Sequence, residues 1–356
     1  MSEEKQSPNP IYIVPDLLEE IFLRLPLKSI LKFKTISKQW RSILESDSFV
    51  QRRRSVKQSR KILAAYNCNC GGRPCLLPES QFQGDEEIVY LHCDAARRPM
   101  LSCNGLVCFH EPDYITVLNP STGQNLRFHS SSRFRNGSDM VMGFGRDRVT
   151  GSYIVVKMIV EPMFGDDCDV LDVESGEWKK LKRPHYVTSL ERQSVCVNGS
   201  IYWLFSGEGL LHIGSGYHLL ALDLHKEEFH RVSAPDTLVT RDTKIVNLEN
   251  RLAVAKITIP GPARILEICS MNAGEEIWSN TYAINLAGIT ASKWSVFTPV
   301  AVSDQGNLVL YNDRKSLFND RKSLFKYYPE TCELRCLSSD SCVHVLSPYL
   351  ENMAPL

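Results

Sequence analysis

The 356 residues carry 41 Lys and Arg against 41 Asp and Glu, with 43% apolar residues, a balance that leaves no global field to draw the chain onto nucleic acid or a membrane surface. No run of about 18 uncharged apolar residues occurs and the N-terminal MSEEKQSPNP is acidic and polar, so neither a membrane span nor a signal peptide is expected and the chain is placed in nucleus or cytoplasm. Its twelve cysteines, scattered over a length that can bury one large or two moderate cores, are expected as reduced thiols rather than a disulfide framework.

The first ordered segment is Pro15 to Phe49. Leu17, Leu18, Ile21, Phe22 and Leu25 recur at the spacing that gathers side chains on one side of a helix. That helix closes at Leu25 and Pro26, because proline has no N–H to give and its ring crowds the preceding turn. Ser29 is expected to cap a second helix carrying Ile30, Leu31, Phe33, Lys34 and Ile36, and Ser37 a third carrying Trp40, Ile43 and Leu44. Three short helices of about 40 residues sit at the lower limit for independent folding, yet their apolar residues occupy more than one helical side. The surplus implies a partner.

Residues 52–61 add Arg52, Arg53, Arg54, Lys57, Arg60 and Lys61. A nuclear import signal or a phosphate-binding arm would have this composition, but a solvated helix end or linker is the simpler reading, since cations suit the negative end of a helix dipole. This run makes residues 1–61 basic, 13 Lys and Arg against 7 Asp and Glu, an excess the rest of the chain cancels. Next come Cys68, Cys70 and Cys75, with His92 and Cys93 downstream. Zinc sites use paired C-x2-4-C knuckles, and C-x-C-x4-C followed by a single H-C pair departs from that pattern, so these are read as loop or buried thiols and no metal or cofactor is expected.

From about Leu101 the pattern changes to short strands punctuated by Gly, Asn, Asp and Pro. A turn followed by an apolar strand recurs at Asn104-Gly105, Asn198-Gly199, Glu249-Asn250 and Gln305-Gly306. It alternates with a hairpin in which an apolar strand ends on a polar residue, turns and resumes on an aromatic or apolar one: Asn119 onwards, Asp172 to Trp178 and Asp223 to Phe229, with looser copies near Ser270 and Tyr328. These anchors recur at a period of about 50, the signature of a propeller of four-stranded sheets. The largest step spans an unbroken tandem copy, NDRKSLF at 312–318 and again at 319–325, read as a lengthened loop or hairpin because an odd seven-residue shift would swap the faces of a strand. Gly143-Phe144-Gly145 leads into a strand and lacks a P-loop lysine, which argues against phosphate binding.

Two resemblances follow from these residues. VPDLLEEIFLRLPLKSILKFKTISKQWRSIL, within Ile13 to about Phe49, closely resembles the F-box, with Val14 where leucine is usual and Ser37 where cysteine is common. LSCNGLVCF, VLNPSTG, GFGRDRVTGSYIVV and the LDVESGEW hairpin resemble the plant F-box-associated domain, with Arg146 at a position often aromatic in that family. The resemblance implies an all-α module at 8–52, a basic linker and first strands at 53–98, and an all-β, propeller-like substrate-recognition domain of five or six blades at 99–345, with 60–98 supplying a closing blade. It also implies a non-catalytic substrate receptor of an SCF-type ubiquitin ligase. Pro15, Leu17, Leu18, Ile21, Leu25, Pro26, Ile30, Leu31, Phe33, Ile36 and Trp40 would serve a Skp-family adaptor, and through it a cullin and a RING subunit.

A scaffold that binds the adaptor without directing degradation is an alternative. A propeller enzyme is weaker: no Gly-x-Ser-x-Gly, His-Glu-x-x-His or tight carboxylate cluster is present, and dispersed histidines such as His212 and His218 read as packing or surface. No substrate-recognition motif stands out.

Overall fold

The computed structural model describes residues 13–55, 61–66, 75–76, 88–92, 100–111, 113–130, 140–159, 167–185, 187, 189–206, 216–235, 237–260, 263–272, 277–286, 295–303, 305–314, 321–338, 343–351 and 356. Two compact units divide the chain, residues 1–58 with 351–355 and residues 59–350 with 356.

The smaller unit holds four helices, α1 (Pro15–Arg24), α2 (Leu27–Phe33), α3 (Lys38–Leu44) and α4 (Asp47–Ser55). Helix α1 starts with proline in its first turn and gives way to extended backbone at Leu25, as Pro26 requires. Helix α2 begins at Leu27 with Pro26 in the N-cap position, so Ser29 lies inside the helix and caps nothing. Ser37 is the N-cap of α3, but through its extended backbone, without a side-chain bond. The fourth helix was not expected. It covers Arg52 to Arg54, so the run read as a linker begins inside α4. Leu18, Phe22, Leu23, Leu27, Ile30, Leu44 and Phe49 form the core of the unit.

The larger unit is six four-stranded sheets. After β1 (Lys61–Tyr66), β2 (Cys75–Leu76) and β3 (Ile88–His92), five meanders follow. Blade 1 is β4 (Met100–Cys103), β5 (Leu106–His110), β6 (Tyr114–Leu118) and β7 (Asn125–His129). Blade 2 is β8 (Met140–Arg146), β9 (Tyr153–Ile159), β10 (Asp167–Asp172) and β11 (Trp178–Lys182). Blade 3 is β12 (Ser189–Val197), β13 (Ser200–Ser206), β14 (Tyr217–Asp223) and β15 (Glu228–Val232). Blade 4 is β16 (Lys244–Leu248), β17 (Arg251–Thr258), β18 (Ile265–Met271) and β19 (Trp278–Asn285). Blade 5 is β20 (Ser295–Val302), β21 (Leu308–Arg314), β22 (Arg321–Tyr328) and β23 (Glu333–Ser338).

The sixth sheet combines β24 (Val343–Tyr349), β1, β3 and β2, in that order. The first strands β4, β8, β12, β16, β20 and β24 touch in a closed ring, which makes them the axial strands of a six-bladed propeller. Because β24 from one end of the domain pairs antiparallel with β1 from the other, the ring closes by backbone hydrogen bonds and leaves no open seam. Strands β1, β2 and β3 join β24 to make that closing blade, and its β1–β3 pair is parallel.

Packing explains the run of apolar residues in each second strand. Strands β5, β9 and β13 are buried along nearly their whole length, whereas the outer β7 and β11 alternate or stay open, because the inner strands are covered by neighbouring blades on both faces. The turns are equally regular. Asn104 and Gly105, Asn198 and Gly199, and Glu249 and Asn250 all adopt positive φ, the two-residue type I′ geometry that matches strand twist. Asn119, Asp172 and Asp223 each accept two backbone N–H groups on Oδ1 from residues two and three ahead, fixing the third turn of blades 1 to 3. The looser copies differ: Ser270 lies within β18 and Tyr328 ends β22.

Gly143 and Gly145 let blade 2 press on blade 3. A Cβ on Gly145 would stand 2.8 Å from both Ile201 and Leu224, closer than carbon atoms pack. Phe144, pointing the other way, fills the core shared with Leu106, Val117 and Leu171. In blade 5 the described parts of the tandem copies, 312–314 and 321–325, lie on opposite arms of one hairpin, with Asn312 facing Ser323 and Arg314 facing Arg321.

Candidate partner interface

Helix α1 has two apolar sides. Leu18 and Phe22 turn into the core of the helical unit, where the Phe22, Phe33 and Trp40 rings meet with centroids 5.3 to 5.7 Å apart, spacing at which tilted and edge-on rings attract. Val14, Leu17 and Ile21, three and four residues apart and so on one helical side, remain 51%, 54% and 38% exposed. Ile13 and Ile36 join them, so five of the nine large apolar side chains exposed among the described residues belong to this short unit. Such a concentration on so small a unit makes these residues the candidate contact with another protein.

The residues singled out from the sequence therefore fall into two groups. Pro15, Leu17, Ile21, Pro26 and Ile36 are exposed, Leu18 and Ile30 are buried, and Leu25, Leu31, Phe33 and Trp40 are half-buried against the core. The exposed residues are open to a partner; the others pack in or against the core of the unit. Ile13 and Val14 complete the exposed row, a continuation legible from the Val14, Leu17, Ile21 spacing.

Two arginines of α4 brace α1. Arg52 donates to Glu19 Oε1 at 2.7 Å and also pairs with Glu20, and these carboxylates, Glu20 first, raise its pKa further. Arg53 is buried and donates to the Leu23 carbonyl at 2.5 Å, with Glu351 Oε2 3.8 Å away. Burial pushes the Arg53 guanidinium below its usual range against the pull of Glu351. The Leu23 oxygen is one of the last carbonyls of α1, which no helical N–H can reach. Sequence reading missed this role because the partner oxygen lies 30 residues away.

On the propeller, Asp147 at the start of the turn after β8 is buried and accepts from the Val149 N–H at 2.8 Å and the Thr150 hydroxyl at 2.8 Å, with His225 Nδ1 at 3.3 Å from the next blade. This gives the D-x-x-T sequence a turn-fixing role. Arg146 donates to the Gly151 carbonyl at 2.8 Å and lies over the Tyr153 ring. His218 is bonded to Arg231 and packs beside Phe205. Burial lowers Lys157 to about 8, opposed by Asp169, and its ammonium donates to Ser130. Cys75 and His92 are opposite one another across β2 and β3; Cys68, Cys70, Cys93 and His212 lie outside the described residues.

Comparison with known proteins matches residues 13–52 to the F-box domain and residues 78–342 to the F-box associated beta propeller domain. An F-box/LRR-repeat protein of Arabidopsis thaliana is 54% identical over 381 aligned positions, covering 100% of this chain and 86% of the relative. An F-box/kelch-repeat protein of the same plant is 52% identical, covering 100% and 86%, and a further Arabidopsis F-box protein is 51% identical, covering 100% and 88%. Among solved structures a puromycin hydrolase superposes with a TM-score of 0.41 at 12% identity, covering 69% of this chain and 40% of the hydrolase.

Proposed function

The chain belongs to the F-box proteins whose second domain is an F-box-associated β-propeller, and on that premise we propose that it is the substrate-recognition subunit of an SCF-type ubiquitin ligase in the nucleus or cytoplasm. The helical unit binds a Skp-family adaptor, which links it to a cullin and a RING subunit, and the propeller holds a protein substrate. The observation that carries this reading is the exposed Val14, Leu17 and Ile21 row on α1, whose opposite side is already committed to the core of the unit. In this role no side chain performs chemistry. The gain is one of effective concentration, a substrate lysine held near a ubiquitin-charged enzyme carried by other subunits.

Capture of a purified Skp-family adaptor by the full chain and by its Leu17→Asp, Ile21→Asp and Leu25→Asp variants tests this. A carboxylate buried unpaired in the contact costs several kcal/mol, so adaptor affinity falls by about a hundredfold or more. Leu17 and Ile21 are the cleaner sites, since Leu25 also packs on the helical core. Unchanged capture by Leu17→Asp and Ile21→Asp overturns the assignment.

A further inference from the structure

Each sheet ends in an outer strand, and in all but blade 4 that strand is either very short or charged. In the closing blade β2 has only two residues. β7 carries the exposed Arg127, β11 three exposed lysines, β15 Glu228 and Arg231, and β23 Glu333 and Arg335, charges of the kind that keep sheet edges from pairing with other chains. β19 of blade 4 has none. Its eight residues, Trp278 to Asn285, make it the longest of the outer strands, and no charged side chain occurs among them. Among the described residues no strand pairs with its outer edge.

Register shows which backbone groups point outward. The Leu286 N–H donates to the Arg264 carbonyl at 2.9 Å, and the pairs before it are Asn285 with Ile265, Ile284 with Leu266, Ala283 with Glu267 and Tyr282 with Ile268. Hydrogen-bonded pairs alternate along an antiparallel ladder, so Ile284 and Tyr282 turn their N–H and C=O groups to β18, and Ala283 turns both of its own outward. The Ala283 methyl is exposed and too small to block an approaching strand. A bulge at Thr281 bends β19 just before this run, which leaves Tyr282 to Asn285 as the straight segment.

We propose that the outer edge of β19 pairs antiparallel with β19 of a second copy of this chain, making a two-fold dimer centred on Ala283. A two-fold contact sets one surface against itself, so a charged strand opposes its own charges: β11 would bring lysine against lysine, which destabilises a pair. β19 brings no charge to oppose. With Ala283 facing Ala283 of the second copy, the two residues exchange both N–H···O bonds. Tyr282 then stands across from Ile284 of the second copy, an aromatic and β-branched combination that suits cross-strand neighbours. Pairing consumes the edge, so assembly stops at two chains. The contact uses no residue of the helical unit and stands apart from the adaptor reading.

Sedimentation velocity of the purified full chain over about a hundredfold range of concentration tests this, since a dimer forms by mass action. The expected result is a monomer that gives way to a dimer as concentration rises, with the Ala283 amide slowed in hydrogen exchange in the dimer. Ala283→Pro removes the outward N–H and spares the bonds to β18, while Ala283→Lys sets two cations against each other. Each should raise the dimer Kd by about tenfold or more and leave circular dichroism unchanged. Leu17→Asp, on the exposed row of α1, should keep the dimer. A chain that stays monomeric throughout leaves the edge to other strands and overturns the proposal. So would a dimer that survives both Ala283 substitutions, one abolished by Leu17→Asp, an Ala283 amide that exchanges equally in monomer and dimer, or growth beyond two chains.

Discussion

A Cβ built on Gly143 would lie 2.4 Å from Cζ2 of Trp203, whose indole is wholly buried and donates to the Met142 carbonyl at 3.1 Å. Blade 2 and blade 3 are thus fitted through the absence of one side chain. The indole cannot yield cheaply, since it is tied by its N–H and packed beside Phe229. Gly143→Ala should therefore destabilise the propeller by about 1 to 3 kcal/mol, the usual cost of overpacking a dense core, while the helical unit keeps its fold. Thermal unfolding followed by tryptophan fluorescence reads this, and an unchanged melting temperature would show that the blades can slide apart without cost.

The helical unit has its own single point of failure in Arg53. Replacing it by Met keeps most of the apolar stem but leaves the Leu23 carbonyl without its donor, and losing a hydrogen bond from a charged group costs about 1.5 to 3 kcal/mol. Arg53→Met should loosen the end of α1 and raise hydrogen exchange there, whereas Arg52→Met, which removes only solvent-screened, exposed ion pairs, should leave stability almost unchanged. Equal effects from the two substitutions would refute the brace.

Much of this architecture was legible because it is local. Paired turn residues such as Asn104 and Gly105, and the Asx turns at Asn119, Asp172 and Asp223, announce hairpins from two to four residues of sequence, and their period of about 50 announces blades. The missing pieces depend on distant chain. Helix α4 was hidden because its identity as a brace depends on the Leu23 oxygen; its own sequence is mostly polar. The GFG segment could be read as leading into a strand, but why it needs glycine at both positions shows only when Trp203 and Ile201 are seen against it. The candidate partner surface was legible only as a list of apolar positions, and separating the exposed Leu17 and Ile21 from the buried Leu18 and Ile30 requires knowing where α3 and α4 lie.

The Asp147 turn gives the propeller an acid-sensitive contact. Burial favours the neutral carboxyl, but the Val149 N–H, the Thr150 hydroxyl and His225 outweigh it and hold Asp147 below the usual carboxylate range. A depressed folded-state pKa contributes stability that is fully present above the unfolded value, about 3.9, and is lost as pH falls through the lower folded value. Asp147→Asn keeps one acceptor for the turn but removes this linkage. Acid unfolding curves of wild type and variant should therefore differ most near neutrality and converge as pH drops below about 4; a constant gap down to acid pH would assign the effect to shape rather than charge.

The tandem NDRKSLF copies give the most decisive test of how blade 5 is built. In the intact chain Leu310 faces Phe325, Val309 faces Lys326 and Leu308 faces Tyr327, with Leu324 and Phe325 of the second copy in the interior. Deleting 319–325 joins Phe318 directly to Lys326. Leu317 and Phe318 then occupy the places of Leu324 and Phe325, Tyr311 and Leu310 keep partners of the same type, and residues 312–316 become the turn. The hairpin loses its outer rungs, Asn312 with Ser323 through Arg314 with Arg321, and nothing that packs against a neighbouring blade is removed in kind. Halving a connection changes closure entropy by only about 0.6 kcal/mol. The deletion should therefore leave circular dichroism unchanged and lower the melting temperature by less than about 8 °C. A larger fall, or loss of the cooperative transition, would mean that the outer rungs are structural elements of the blade rather than an extension of it.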